Sequence, residues 1–296
     1  MAQSANPAQQ SNVLIGVTSA LAVVFIWSGF LVFSRVGVVT SLTAFDITGL
    51  RFAVASALVL PFIRGWWPGH LPLRAKFIIA FSGPGAIYSV LIVLGLGETS
   101  SAYGGVFANG SLPIFTMALG ALAGQRPSRG QLFAAVVIIA GSILLSFRGM
   151  TNQGSSALTG IALFLSASFL LSVYIISIRH WMITPKQALA LINLPNALMF
   201  LPVWFFLLPS GLADAPLASI LFQALFQGLG PGFLAVIFFA LTTVHLGPTA
   251  TAGFSAVVPA TAALLAIPVL SEMPTPMEWS GIITVTAGLA LLILRR

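Results

Sequence analysis

Ser82-Gly83-Pro84-Gly85 and Leu229-Gly230-Pro231-Gly232 set one Gly-Pro-Gly break inside each of two long apolar stretches. The breaks lie about 145 residues apart, and nearly the same offset recurs on both sides of them. Pro113 pairs with Pro259. GQRPSRGQ from Gly124 matches LSEMPTPM and Glu278, with Pro127 meeting Pro274. Gly16 and Gly160, Arg35 and Arg179, and Gly141 and Gly288 complete the series. The chain therefore reads as two copies of one unit.

Composition says what kind of unit. Of 296 residues, 58% are hydrophobic and 6% charged, whereas a soluble domain carries about 25% charged residues. Apolar runs long enough to cross about 30 Å of hydrocarbon fall at 13–37, 43–63, 76–97, 99–122 and 130–147. They recur at 157–178, 186–208, 217–244, 248–270 and 277–294. The expected fold is all-α and integral to a membrane, with ten transmembrane helices as two inverted five-helix repeats around a central cavity. An odd number of spans per copy makes the second enter from the opposite side, the antisymmetry that serves alternating access. The expected organisation is a disordered tail over 1–12, a first repeat over 13–147, a linker over 148–156 and a second repeat over 157–296.

Loop charges agree with ten spans. With a cytoplasmic N-terminus, the inner side holds Arg64, Arg74, Lys76, Arg126, Arg129, Arg179, Lys186, Arg295 and Arg296. The outer loops hold Arg148, with Arg35 near the outer end of span 1. The positive-inside rule then puts both termini in the cytoplasm. The formal charge of +7 is read as topology signal, not as nucleic-acid binding. The absence of cysteine removes disulfides and thiol chemistry, and fits a bacterial inner membrane.

At the level of motifs the chain resembles the drug/metabolite transporter superfamily, in particular its ten-helix EamA-type members. The resemblance rests on Trp27 in FIWSGFLVFSRVG, Arg51 in GLRFAVASALVLP, and a glutamate, polar turn and glycine-rich helix in LSEMPTPMEWSGIITVTAGLALL. Glu272 takes the glutamate place, and the first half carries Gln125 there instead. The resemblance implies a basket of ten helices around a cavity lined by helices 1, 3, 4, 6, 8 and 9, with helices 5 and 10 peripheral. It implies export of amino acids or other metabolites. Among the branches of the superfamily, the chain looks most like the aromatic amino acid exporters.

Several residues are candidates for that work. Gly83, Pro84, Gly85 and Gly230, Pro231, Gly232 break spans 3 and 8 at equivalent places, as hinges or as kinks tolerated beside small residues. Pro113 and Pro259 loosen spans 4 and 9. Asn109 and Ser111, with Tyr103, are polar groups at membrane depth; Asn109 serves either a substrate or a neighbouring helix. Tyr88 follows the first break, and Tyr174 lies in the serine-rich span 6. Trp27 sits inside span 1, to stack on a substrate or to pack. Arg51 is a charge at membrane depth that needs another helix or a carbonyl, while Asp46 is expected at the solvated outer interface.

Rival functions find less support. The sequence contains no nucleophile with its base, no metal-ligand spacing, no P-loop and no filter motif, so the expectation is no catalytic residue, metal or cofactor. The expected partners are a small-molecule substrate and lipid, and Gly120 to Gly124 offers a GxxxG-like face for a homodimer or an internal contact. A multidrug carrier of apolar cations is the alternative within transport; a scaffold and an intramembrane enzyme are the alternatives outside it.

Overall fold

The computed structural model describes residues 7–152 and 155–294, with side chains for 13–146, 155–246, 251 and 254–293. Helices α1 (Pro7–Thr40), α2 (Ala44–Trp66), α3 (Leu73–Glu98), α4 (Ser101–Leu122) and α5 (Arg129–Asn152) make up the first half. In the second half come α6 (Ser155–His180), α7 (Pro185–Leu207), α8 (Leu217–Leu246), α9 (Val258–Leu270) and α10 (Pro276–Leu294). Among the described residues nine helices are long and apolar enough to span a membrane, and α9 is apolar but shorter.

The sequence explains the starts. Thr43 and Asp46 close a reciprocal capping box on α2, and Thr184 and Gln187 do the same for α7. Proline stands in the first turn of α7 and of α9, where its missing N–H has no cost.

Hydropathy and helix do not share their ends. Of the tail expected over 1–12, residues 1–6 lie outside the described residues, and α1 already begins at Pro7. The linker expected over 148–156 is shorter, because α5 continues to Asn152 and α6 starts at Ser155. Apolar runs mark the hydrocarbon, whereas backbone hydrogen bonds carry a helix past it into water.

The passage from α8 to α9 also differs from a plain loop. Helical backbone extends on both sides of Leu246, over Ala235–Ser255. Yet Gly16 of α1 packs on Leu246, and Ala20 and Val23 border one small void with Phe239, Thr242, Thr251, Phe254 and Ser255. In a straight helix Phe239 and Ser255 would stand about 24 Å apart. The chain therefore doubles back after Leu246, and the ninth crossing is the rest of that helical stretch plus α9. Ten crossings follow, with both described chain ends at one end of the bundle, here called proximal; the other end is distal.

Helices α5 and α10 pair through glycine. A Cβ built on Gly281 would come within 2.7 Å of the Gly141 carbonyl, and one on Gly141 within 2.8 Å of the Val285 backbone. Close backbones of this kind replace the hydrophobic effect that lipid cannot supply. A Gly281→Leu protein is expected to lose about 2 kcal/mol and to melt about 5 °C lower by tryptophan fluorescence in detergent; an unchanged melting temperature would show the pair is not a close contact.

The rest of the core is continuous. Helix α1 packs on both arms of the α8–α9 hairpin, α2 lies between α7 and α8, and α3 packs on α6. A buried cluster of Phe30, Leu31, Ile92, Val106, Phe107 and Phe164 joins α1, α3, α4 and α6.

Candidate substrate site at the helix breaks

Pro84 has no N–H, so the carbonyl of Ala80 loses its helical donor. Gly83 and Gly85 then turn extended, with ψ of −166° at each, and the Ala86 N–H leaves the helical ladder as well. A buried break of this kind needs partners from elsewhere. Asn196 of α7 supplies both: its Nδ2 donates to the Ala80 carbonyl at 2.9 Å, and its Oδ1 accepts from the Ala86 N–H at 2.8 Å. Arg51 of α2 supplies a third contact, with Nη2 donating to the Pro84 carbonyl at 3.1 Å. Its Nη1 donates to Ser89 Oγ at 3.0 Å. A side chain at Gly85 would lie 2.6 Å from the Ala80 carbonyl, so only glycine fits there.

The second break is built differently. Gly230–Leu234 winds as a π-type turn, the wider helix that recurs at functional sites. Asn193, one turn before Asn196 on α7, donates to the Gly232 carbonyl at 3.3 Å and to Leu189 at 3.0 Å. Gly232 abuts α2, where a Cβ would lie 2.9 Å from Ala55 Cβ and 3.7 Å from Arg51 Cγ. Before this break, Gln227 donates to Ser34 Oγ at 2.9 Å, and Gln223 donates to the Phe33 carbonyl at 2.6 Å. Both breaks thus meet α2 and α7 about halfway along the bundle.

Of the other expected residues, Tyr174 and Tyr88 lie beside the first break, whereas Tyr103, Asn109 and Ser111 lie apart from it on α4. The Tyr174 ring packs on Gly83, where a Cβ would come within 2.7 Å of it. Tyr88 is buried on α3 beside Ser89. Trp27 stacks on Phe239 of α8, with centroids 5.6 Å apart. Tyr103 is buried and donates to the Leu145 carbonyl of α5 at 2.9 Å. Ser111 bonds the Phe107 carbonyl and Ser168 Oγ, linking α4 to α6. A π-type turn over Gly104–Gly110 precedes Pro113, and Gly105 within it lies against Pro259, whose Cα would be 2.9 Å from an added Cβ. Asn109, in the same turn, is half-buried, and its side-chain amide makes no hydrogen bond among the described residues. An open groove of about 400 Å³ between α4 and α6 is lined by Phe115, Leu165, Phe169 and Leu170, with Ser166 of the serine-rich span 6. No group of His, Asp and Glu among the described residues could hold a metal.

The distal end is tied by charge. Arg35 pairs with Glu272 through Nε, and its Nη1 donates to the Leu96 carbonyl. The other Glu272 oxygen accepts from the Ser101 N–H at 3.1 Å. One ion pair so joins the ends of α1, α3, α4 and α9. Asp46 is fully buried, contrary to its expected place at a solvated interface. It accepts from the N–H groups of Thr43 and Gly211, each at 2.8 Å, from Trp204 Nε1 at 2.9 Å and from Ser210 Oγ at 2.6 Å. Those donors replace water.

Sequence reading missed Asn193, Asn196, Gln223 and Gln227. The usable signal was amides at one-turn spacing inside spans 7 and 8, facing a known break.

Residues 14–147 match the model of the EamA-like transporter family. This stretch is an EamA domain of the drug/metabolite transporter superfamily. The uncharacterized transporter YwfM of Bacillus subtilis (strain 168) is 28% identical over 216 residues, 70% of this chain and 69% of its own. A crystal structure of TM-score 0.67 and 19% identity covers 97% of this chain and 99% of its own, which establishes the fold over the whole length. Over residues 14–147 the chain is thus similar to a family of transporters, and its run of long apolar helices is that of a multi-pass membrane protein.

Proposed function

We propose that this EamA-type chain exports neutral amino acids, aromatic ones among them, across a bacterial inner membrane by alternating access, with both termini in the cytoplasm. The observation that carries the reading is the pair of broken helices, α3 and α8, whose polar breaks meet α2 and α7 at mid-depth. Broken helices at the midplane are how secondary transporters present backbone groups to a substrate. The Lys and Arg bias of the proximal loops supports the orientation. The unpartnered amide of Asn109, beside the Gly105–Pro259 crossing, suits a small zwitterion or an uncharged polar group.

Proteoliposomes preloaded with phenylalanine, threonine or methionine provide the test by counterflow of label, with an apolar drug cation in parallel. Saturable amino acid exchange is expected, reduced about tenfold by Asn109→Ala, the effect of one lost hydrogen bond of about 1.4 kcal/mol. Movement of the cation alone would replace this reading with a multidrug one. No movement above empty liposomes would overturn transport of these solutes altogether.

A further inference from the structure

The guanidinium of Arg51 is buried at mid-membrane with only 3% of its surface exposed, and it has no acid. Among the described residues its side-chain acceptor is Ser89, its backbone acceptor is Pro84, and its Nε has no partner. The nearest acid along α2, Asp46, is held by Thr43, Trp204, Ser210 and Gly211. Glu272 is held by Arg35. Arginine cannot shed its proton, so a lone cation is kept in the protein interior at a continuing cost in stability.

Capping the break does not require that charge. Asn196 caps the same break with a neutral amide, and a glutamine on α2 carries the donors that Pro84 and Ser89 take. The positive charge is thus surplus to the local architecture. A guanidinium edge with a free Nε–H is the fork that matches the two oxygens of a carboxylate. The rings of Phe30 and Phe52, 5.5 and 5.6 Å from the guanidinium carbon, cover the group in this conformation. Two amide oxygens on the helices at the second break, Gln227 Oε1 and Asn193 Oδ1, are also buried without a partner, and are the type of acceptor an ammonium takes.

We propose that Arg51 receives the carboxylate of the transported substrate when the helix breaks open, so that the carrier selects solutes bearing that group. The proposal rests on the amino acid reading above and sharpens it. A zwitterion brings the missing negative charge to Arg51, and a cation of the same size does not.

Ligand-dependent melting of the purified protein in detergent separates this role from a structural one. Phenylalanine is expected to raise the melting temperature of the parent by several degrees, and phenylalaninamide, which lacks the carboxylate, to leave it unmoved. Arg51→Gln is expected to fold and to lose the response to phenylalanine, while Arg51→Lys keeps a response at about tenfold higher concentration. Equal shifts by the two ligands in the parent would overturn the assignment, as would a full phenylalanine response in Arg51→Gln. Should the glutamine variant not fold, Arg51→Lys decides, and an unchanged concentration dependence there overturns the assignment. Counterflow of phenylalanine by the parent alongside either overturning result leaves the exporter reading standing and removes only Arg51; absence of counterflow removes the exporter reading itself.

Discussion

Asp46→Ala is expected to lower the melting temperature of the purified carrier by about 10 °C, the largest single effect outside the helix breaks. The carboxylate has no solvent-accessible surface, and it takes donors from the start of α2, from Trp204 near the end of α7 and from the α7–α8 connection. Removing it leaves two partly buried backbone N–H groups and the buried indole N–H without an acceptor, for a loss of about 4 kcal/mol. Trp204 also covers Gly49, where an added Cβ would lie 2.3 Å from the ring, so the indole has no room to turn toward water. Asp46→Asn retains one oxygen and should fall between the two. A fluorescence melt within 2 °C of the parent for the alanine protein would show that the α7–α8 connection rearranges to solvate these donors.

Glu272→Gln is expected to open the distal end. The Arg35–Glu272 pair, with the Leu96 carbonyl and the Ser101 N–H, is the only ion pair among the described residues, and it ties four helix ends. A half-buried pair of this kind is weaker than its Coulomb energy suggests, but breaking one partner leaves the other charge stranded. The chain has no cysteine, so a single probe can be introduced against a silent background. Ala102, buried in the first turn of α4, is the place for it. In Glu272→Gln, an Ala102→Cys probe should react with an impermeant maleimide about ten times faster than in the parent, and the Arg35→Glu, Glu272→Arg exchange should restore slow labelling. Equal rates in all three proteins would mean that apolar packing alone closes this end.

The legible part of the molecule was the part governed by short-range rules. Apolar run length located the crossings, and Gly-Pro-Gly located the breaks because proline removes a donor wherever it stands. Arg51 could be flagged from sequence, since a charge at membrane depth must find a carbonyl or another helix, and the Pro84 carbonyl is that partner. What could not be read was which distant residue completes each local fault. Asp46 looks like an interfacial acid until the chain brings Trp204, Ser210 and Gly211 to it across more than 150 positions. Asn193 and Asn196 sit in an unremarkable apolar helix, and only the packing of α7 against α3 and α8 gives them their roles. The turn after Leu246 was hidden for a different reason: the residues before and after it are both helical and apolar, and hydropathy cannot see direction.

The two asparagines stand three positions apart on α7, and one serves the break of α3 while the other serves that of α8. A single helix is therefore answerable to both halves of the chain. If one break drifts during evolution, the compensating change must occur on a helix that the other break also uses. Sequence divergence at 193, 196 and the glycines of either break should then be correlated, and substitutions there should be rescued in pairs, not singly. The halves are free to differ in their outer surfaces and loops, but at this helix they share an inheritance.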